Sequence, residues 1–246
     1  MDRKTPTTEK RNEHEQFVCT CRACTILPDR CRAFLCPSID CRNGRVCPHG
    51  DGSDASEDES SSTPADRPSN WGCLDCGHQC SASEIERLVA AEESLALAME
   101  SADELDVEDI DSMVDDARVI HPTHYVVFWA LEATAKRLSR ESAGYGRTGA
   151  RQDRIAVAAE AAWTRVMAAV EEALPALHHE KVVYLDALAQ ARVVAGDIKG
   201  ARDAYDKAYR VSVMVSGADT PPTLDVKSLA ERTPTTANEL RARYTS

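Results

Sequence analysis

The sequence predicts a mainly α-helical protein in which a small cysteine-rich lobe is followed by an all-α domain of helical hairpins. Three observations predict it. All ten cysteines of the 246 residues fall between Cys19 and Cys80. The remaining chain is rich in Ala, Leu, Val, Glu and Arg and sparing in Gly and Pro, a helix-forming composition. Apolar residues there recur at three- and four-residue intervals, the mark of one buried helix face.

The polar lead-in, residues 1–16, starts with the charged Asp2-Arg3-Lys4 and offers no apolar segment, so a secretory signal is not expected. The longest apolar run, Tyr125 to Leu131, is far short of the ~20 residues of a membrane span. The reading is therefore a soluble cytoplasmic or nuclear chain with no membrane partner. Thiols are kept reduced there, and clustered cysteines point to metal coordination before disulfides.

Charge narrows the partners. The formal net charge is -12, and residues 84–118 hold 13 Asp or Glu against Arg87 and Arg118. A field of that sign repels phosphate backbones and attracts basic peptides or proteins. The stretch up to Arg45 has nine Lys or Arg against six acids but no basic and aromatic stripe, so nucleic acid is not the expected partner.

The cysteine-rich region runs from residue 17 to 80, with turn signals at Pro28-Asp29, Pro37-Ser38 and Asn43-Gly44. Within it, residues 50–70 read GDGSDASEDESSSTPADRPSN, an acidic, Ser-rich composition expected to form a disordered insertion. Cys36-x4-Cys41 before the insertion and Cys73-x2-Cys76 after it supply four thiolates as two close pairs, the arrangement of a zinc ribbon. Long inserted loops cost little once their ends are held. Cys47, Cys80, His49 and His78 are spare donors, read as non-ligands, and Trp71 is expected to pack on the metal loops. Cys19, Cys21 and Cys24 form a second cluster, C-x-C-x-x-C, with three ligands where a structural zinc takes four. Cys31, His14 or another domain supplies the fourth.

From Ser81 the chain reads as helices, residues 81–217. Ser81 or Ser83 caps the first, and Glu84 three residues after Ser81 completes a capping box. Ile85, Leu88, Val89, Glu92, Leu95 and Met99 mark its inner face. A second acidic helix is expected from Asp106 to Val119, and others at 122–141, 151–173, 178–195 and 198–215. The last pair, YLDALAQARVVAGDIKGARDAYDKAY, sets Leu185, Leu188, Ala189, Gly196, Ala201, Tyr205 and Ala208 at the small and large positions of a tetratricopeptide hairpin. One such unit cannot bury its own faces, so neighbouring pairs must stack on it. Residues 218–246 read as a tail with room for one further short helix.

Several of these pieces carry a resemblance. F-x-C-x-C-x-x-C at Phe17 to Cys24, D-x-x-R-A-F-x-C-P at Asp29 to Pro37, Gly44, Pro48 and W-x-C-x-x-C-G at Trp71 to Gly77, followed by a helical tail, resemble the C-terminal half of the SET-and-MYND (SMYD) protein lysine methyltransferases. HPTHYVVFWAL from His121 and the repeat ending near Gly217 resemble that family's tetratricopeptide-like C-terminal domain. The resemblance implies that Cys19, Cys21 and Cys24 share a zinc with a cysteine of a SET domain. It implies also that Phe17 stacks on the adenine of S-adenosylmethionine. The sequence has no Asn-His-Ser-Cys type segment, SET glycine motif, catalytic tyrosine segment or MYND finger. The expected chain is therefore the post-SET lobe and helical domain of such an enzyme, inactive alone, with a SET domain in cis or trans and a lysine-bearing peptide as partners. A stand-alone zinc-binding, tetratricopeptide-like adaptor is the other reading.

GYGRTG, Gly144 to Gly149, matches G-x-G-x-x-G, but a helical pattern precedes it where a phosphate loop needs a strand. It reads as an interhelical loop. His121, His124, His178 and His179 read as core or helix-end histidines.

Overall fold

The computed structural model describes residues 31–41, 43–48, 71–101, 105–142, 149–174 and 176–244. The lead-in, Phe17, Cys19, Cys21, Cys24, His14, His49 and the 50–70 insertion lie outside the described residues. Among the described residues the chain is mainly α-helical, with eight helices and one small three-stranded sheet. The strands are β1 (Phe34–Leu35), β2 (Arg45–Pro48) and β3 (Trp71–Cys73). The helices are α1 (Ala82–Glu100), α2 (Val107–Asp116), α3 (Tyr125–Ser142), α4 (Ala150–Ala173), α5 (Glu180–Ala195), α6 (Ile198–Ser216), α7 (Pro221–Glu231) and α8 (Ala237–Tyr244). No described helix is long and apolar enough to cross a membrane.

Two compact units partition the chain: residues 1–101 with 111–127, and residues 102–110 with 128–246. The first holds the sheet, ordered β1-β2-β3 with both pairings antiparallel. Phe34 pairs with Val46, and Val46 in turn with Cys73. Strands of two to four residues carry too few ladder bonds to stand alone, and the chain around residue 120 adds a rail along β1. The Leu35 N–H donates to the Val119 carbonyl at 2.8 Å, the His121 N–H to Ala33 at 3.1 Å and the Tyr125 N–H to Cys31 at 2.8 Å.

Behind this rail sits a compact aromatic core. Phe34 is fully buried, its ring 5.3 Å from Trp71 and 4.8 Å, edge-on, from His124. The Arg32 guanidinium lies 5.2 Å over the Trp71 ring, a cation–π distance. α1 closes the unit. Its capping box is formed, with Ser81 accepting from the Glu84 N–H while the Glu84 carboxylate accepts from the Ser81 N–H at 2.8 Å. Leu88, Glu92, Leu95 and Met99 form its buried face.

Glu92 is thus a carboxylate on an otherwise apolar stripe, and it is compensated. Arg32 Nε and Nη2 donate to it at 2.7–3.0 Å, and the fully buried His124 places Nε2 3.4 Å from Oε1. Burial pushes the Glu92 carboxyl up, but the hydrogen bonds from His124 and Arg32 outweigh it and hold the group below its ordinary value.

The second unit is an array of hairpins. α4 packs on α5, α5 on α6 and α6 on α7, with short connections that make neighbours antiparallel. Ala189, Ala204 and Tyr205 pack with Leu229 and Ala230, and Val193 and Ala201 with Leu240 of α8. The alanines let α5 and α6 approach closely while Tyr205 fills the space beyond. Trp163 of α4 donates Nε1–H to Ser139 Oγ of α3 at 2.8 Å. Tyr244 donates to Asp186 at 2.6 Å, which ties α8 to α5.

Gly196 ends α5 in the left-handed region, φ 87°, so that Asp197 caps α6 through the Gly200 N–H at 2.9 Å. A side chain is strained there, and Gly196→Ala is expected to cost about 1 kcal/mol, read as a lower urea midpoint with unchanged slope.

The segment after Gly217 contains two helices, α7 and α8, where the sequence reading left room for one. Pro221 and Pro222 occupy the first turn of α7, where no intrahelical N–H is required.

Candidate metal centre

Cys36, Cys41, Cys73 and Cys76 converge into one group able to hold a metal ion. Two turns deliver them. The first leaves β1: the Cys36 N–H donates to the Gly44 carbonyl at 2.8 Å and the Cys41 N–H to Ser38 at 3.0 Å. The second leaves β3: the Cys73 N–H donates to His78 at 2.8 Å and the Gly77 N–H to Cys73 at 3.0 Å. The turns are joined by Leu74 N–H donating to the Arg45 carbonyl and Arg45 N–H donating to Asp75 Oδ2, both 2.8 Å.

The sulfur separations test what the group fits. Cys36 Sγ lies 3.7 Å from Cys76 Sγ, and Cys41 Sγ 3.9 Å from Cys73 Sγ. A disulfide needs about 2.05 Å. Zinc–sulfur bonds near 2.3 Å in a tetrahedron place the sulfurs about 3.8 Å apart. The spacing is that of four thiolates around a zinc-sized ion.

Gly44 is part of the same geometry. A Cβ at this position would lie 2.3 Å from Cys41 Sγ and 2.6 Å from Cys73 Sγ, too close for either. Gly44→Ala must displace two of the four sulfurs. It is expected to weaken metal affinity at least 100-fold in a chelator competition while the helical circular dichroism persists.

The thiols are unequal before any ion binds. Burial pushes Cys36 up, and the hydrogen bond that the Cys41 thiol donates to Cys76 raises Cys41. Cys76 is held down, chiefly by the backbone N–H of His78. Raised thiols remain protonated near neutral pH and must lose those protons to coordinate. Metal affinity should therefore fall as pH falls.

Of the residues singled out in the sequence, the structure brings together Cys36, Cys41, Cys73 and Cys76. Trp71 packs on Phe34 and Arg32. Cys47 is buried in β2, where its residue pairs with Gly72. His124 is a core histidine, as read. Sequence reasoning missed Gly44 as a packing requirement; Asn43-Gly44 signalled only a turn. It also missed Arg32, whose partner Glu92 lies 60 residues away.

No family model matches this sequence, and no curated protein matches it. The class that fold and site define is a mainly α-helical protein with a cysteine-rich lobe carrying a possible metal-binding group.

Proposed function

We propose that this chain is a zinc-bearing, non-catalytic portion of a SMYD-like protein lysine methyltransferase, its four-cysteine lobe bracing a SET domain's cofactor and substrate cleft. The observation that carries the zinc assignment is the convergence of Cys36, Cys41, Cys73 and Cys76 at tetrahedral sulfur spacing. Bound zinc supplies a cross-link there, because four protein thiolates leave no open coordination position for substrate or water. The four residues hold β1, β2 and β3 together through that link, and the aromatic core of Phe34 and Trp71 rests on the same strands.

The methyltransferase reading is supported by the motifs around Phe17 to Cys24 and Trp71 to Gly77. On this reading Cys19, Cys21 and Cys24 share a further zinc with a SET-domain cysteine, and Phe17 contributes a flat apolar face to S-adenosylmethionine. The acidic residues of 84–118 then steer a basic, lysine-bearing peptide, an attraction that weakens with salt.

Transcript sequencing upstream of the Met1 codon tests it. In-frame SET and MYND coding sequence is expected. An in-frame stop in an untranslated leader, together with no methyl transfer when the chain is mixed with a SMYD SET core, would overturn it. The stacked hairpin α5, α6 and α7 favours the adaptor reading in that event, since stacked pairs present peptide-binding surfaces without a cofactor.

A further inference from the structure

Beyond the four-cysteine group, His78, Cys80 and Glu84 bring an imidazole nitrogen, a thiol and a carboxylate oxygen within 4.8 Å of one another. We propose that these three residues form a second site for a divalent transition ion of the zinc type, on the short segment linking β3 to α1.

Geometry supports it first. His78 Nε2 and Glu84 Oε2 are 3.5 Å apart, and bonds of roughly 2.0–2.2 Å in a tetrahedron place nitrogen and oxygen ligands about 3.4 Å apart. His78 Nε2 is enclosed, yet no hydrogen bond of normal geometry satisfies it. Cys80 is almost wholly buried beside it. A coordination bond would satisfy the buried nitrogen.

The scaffold also holds the three donors in place. The Cys80 N–H donates to the Trp71 carbonyl at 2.9 Å and the His78 carbonyl accepts from Cys73, so both residues are in register with β3. The Glu84 carboxylate accepts from the Ser81 N–H and Oγ–H, both at 2.8 Å. Such outer hydrogen bonds orient a metal-binding carboxylate.

Chemistry then selects the ion. One thiolate, one imidazole and one carboxylate suit zinc or a neighbouring transition metal, whereas magnesium and calcium prefer oxygen alone. A thiolate and a carboxylate neutralise a dication with the histidine uncharged. Three protein ligands leave one corner of the tetrahedron for water or an external donor, unlike the closed four-cysteine group.

The test uses the full chain with Cys19, Cys21 and Cys24 all replaced by Ser, loaded with zinc or cobalt(II). Native mass spectrometry is expected to count two ions. His78→Ala should reduce the count to one, with the cobalt–thiolate charge-transfer bands of the four-cysteine group retained. Glu84→Gln keeps the capping box, which accepts either residue, so α1 stays folded. It should weaken the second ion at least 10-fold in chelator competition. One ion in the starting chain, or an unchanged second affinity in both variants, would assign His78 and Glu84 to an ordinary ion pair and overturn the proposal. Loss of the intense bands of the four-cysteine group, with the weaker single-thiolate band of Cys80 and its ion retained, would count against the four-cysteine zinc and leave this site standing.

Discussion

Cys73→Ser is expected to unfold the three-stranded lobe, abolishing metal binding at the four-cysteine group and opening residues 31–48 and 71–80 to trypsin. The reason is the ratio of metal to core. The strands have two, four and three residues, and the fully enclosed apolar side chains around them are Ala33, Phe34 and Val46 with a few neighbours. Structural zinc contributes roughly 10–16 kcal/mol to small metal-organised folds. Whole domains are stable by only about 5–15 kcal/mol. A serine hydroxyl stays protonated at neutral pH and cannot replace the thiolate. Cys47→Ala serves as the control, since Cys47 is buried in β2 outside the four-cysteine group, and it should keep the ion. Limited proteolysis with and without chelator reads the result. A metal-free chain that kept its resistance would show that the apolar core suffices.

Glu92→Ala should lower stability by about 3–5 kcal/mol, the usual cost of removing one partner from a buried ion pair. Arg32 would lose all three of its hydrogen bonds to the carboxylate, and His124 would lose the carboxylate beside its Nε2. The same site sets an acid dependence. The folded-state carboxyl of Glu92 is depressed, so its contribution is fully present above its unfolded pKa and is lost as pH falls through the lower folded value. Urea midpoints measured from pH 6 down to pH 3 should fall for the wild type. Glu92→Gln should flatten that part of the profile, because it has no proton to gain. Equal slopes for the two proteins would remove Glu92 from the account.

Much of this was legible along the chain. Ser81 with Glu84 announced the start of α1, and the structure forms both halves of that box. Gly196 between two alanine-rich periods announced a hairpin, and it sits in the left-handed conformation that such a turn needs. The spacing of Cys36, Cys41, Cys73 and Cys76 announced a four-thiol group. The sheet was not legible, because FL, RVCP and WGC are too short to show alternation. Nor was α8, whose mostly polar sequence buries essentially Leu240.

What the sequence determined by itself is local: helix periods, caps, turn residues and close pairs of thiols, each written within a few neighbouring positions. Only the tertiary structure decided which distant groups meet. It put Arg32 and His124 on Glu92 and left Gly44 without room for a methyl group between two sulfurs. The physical reason is range. Backbone propensity acts over one or two turns, whereas an ion pair, a close-packed void or a coordination shell depends on where strands and helices bring residues many positions apart.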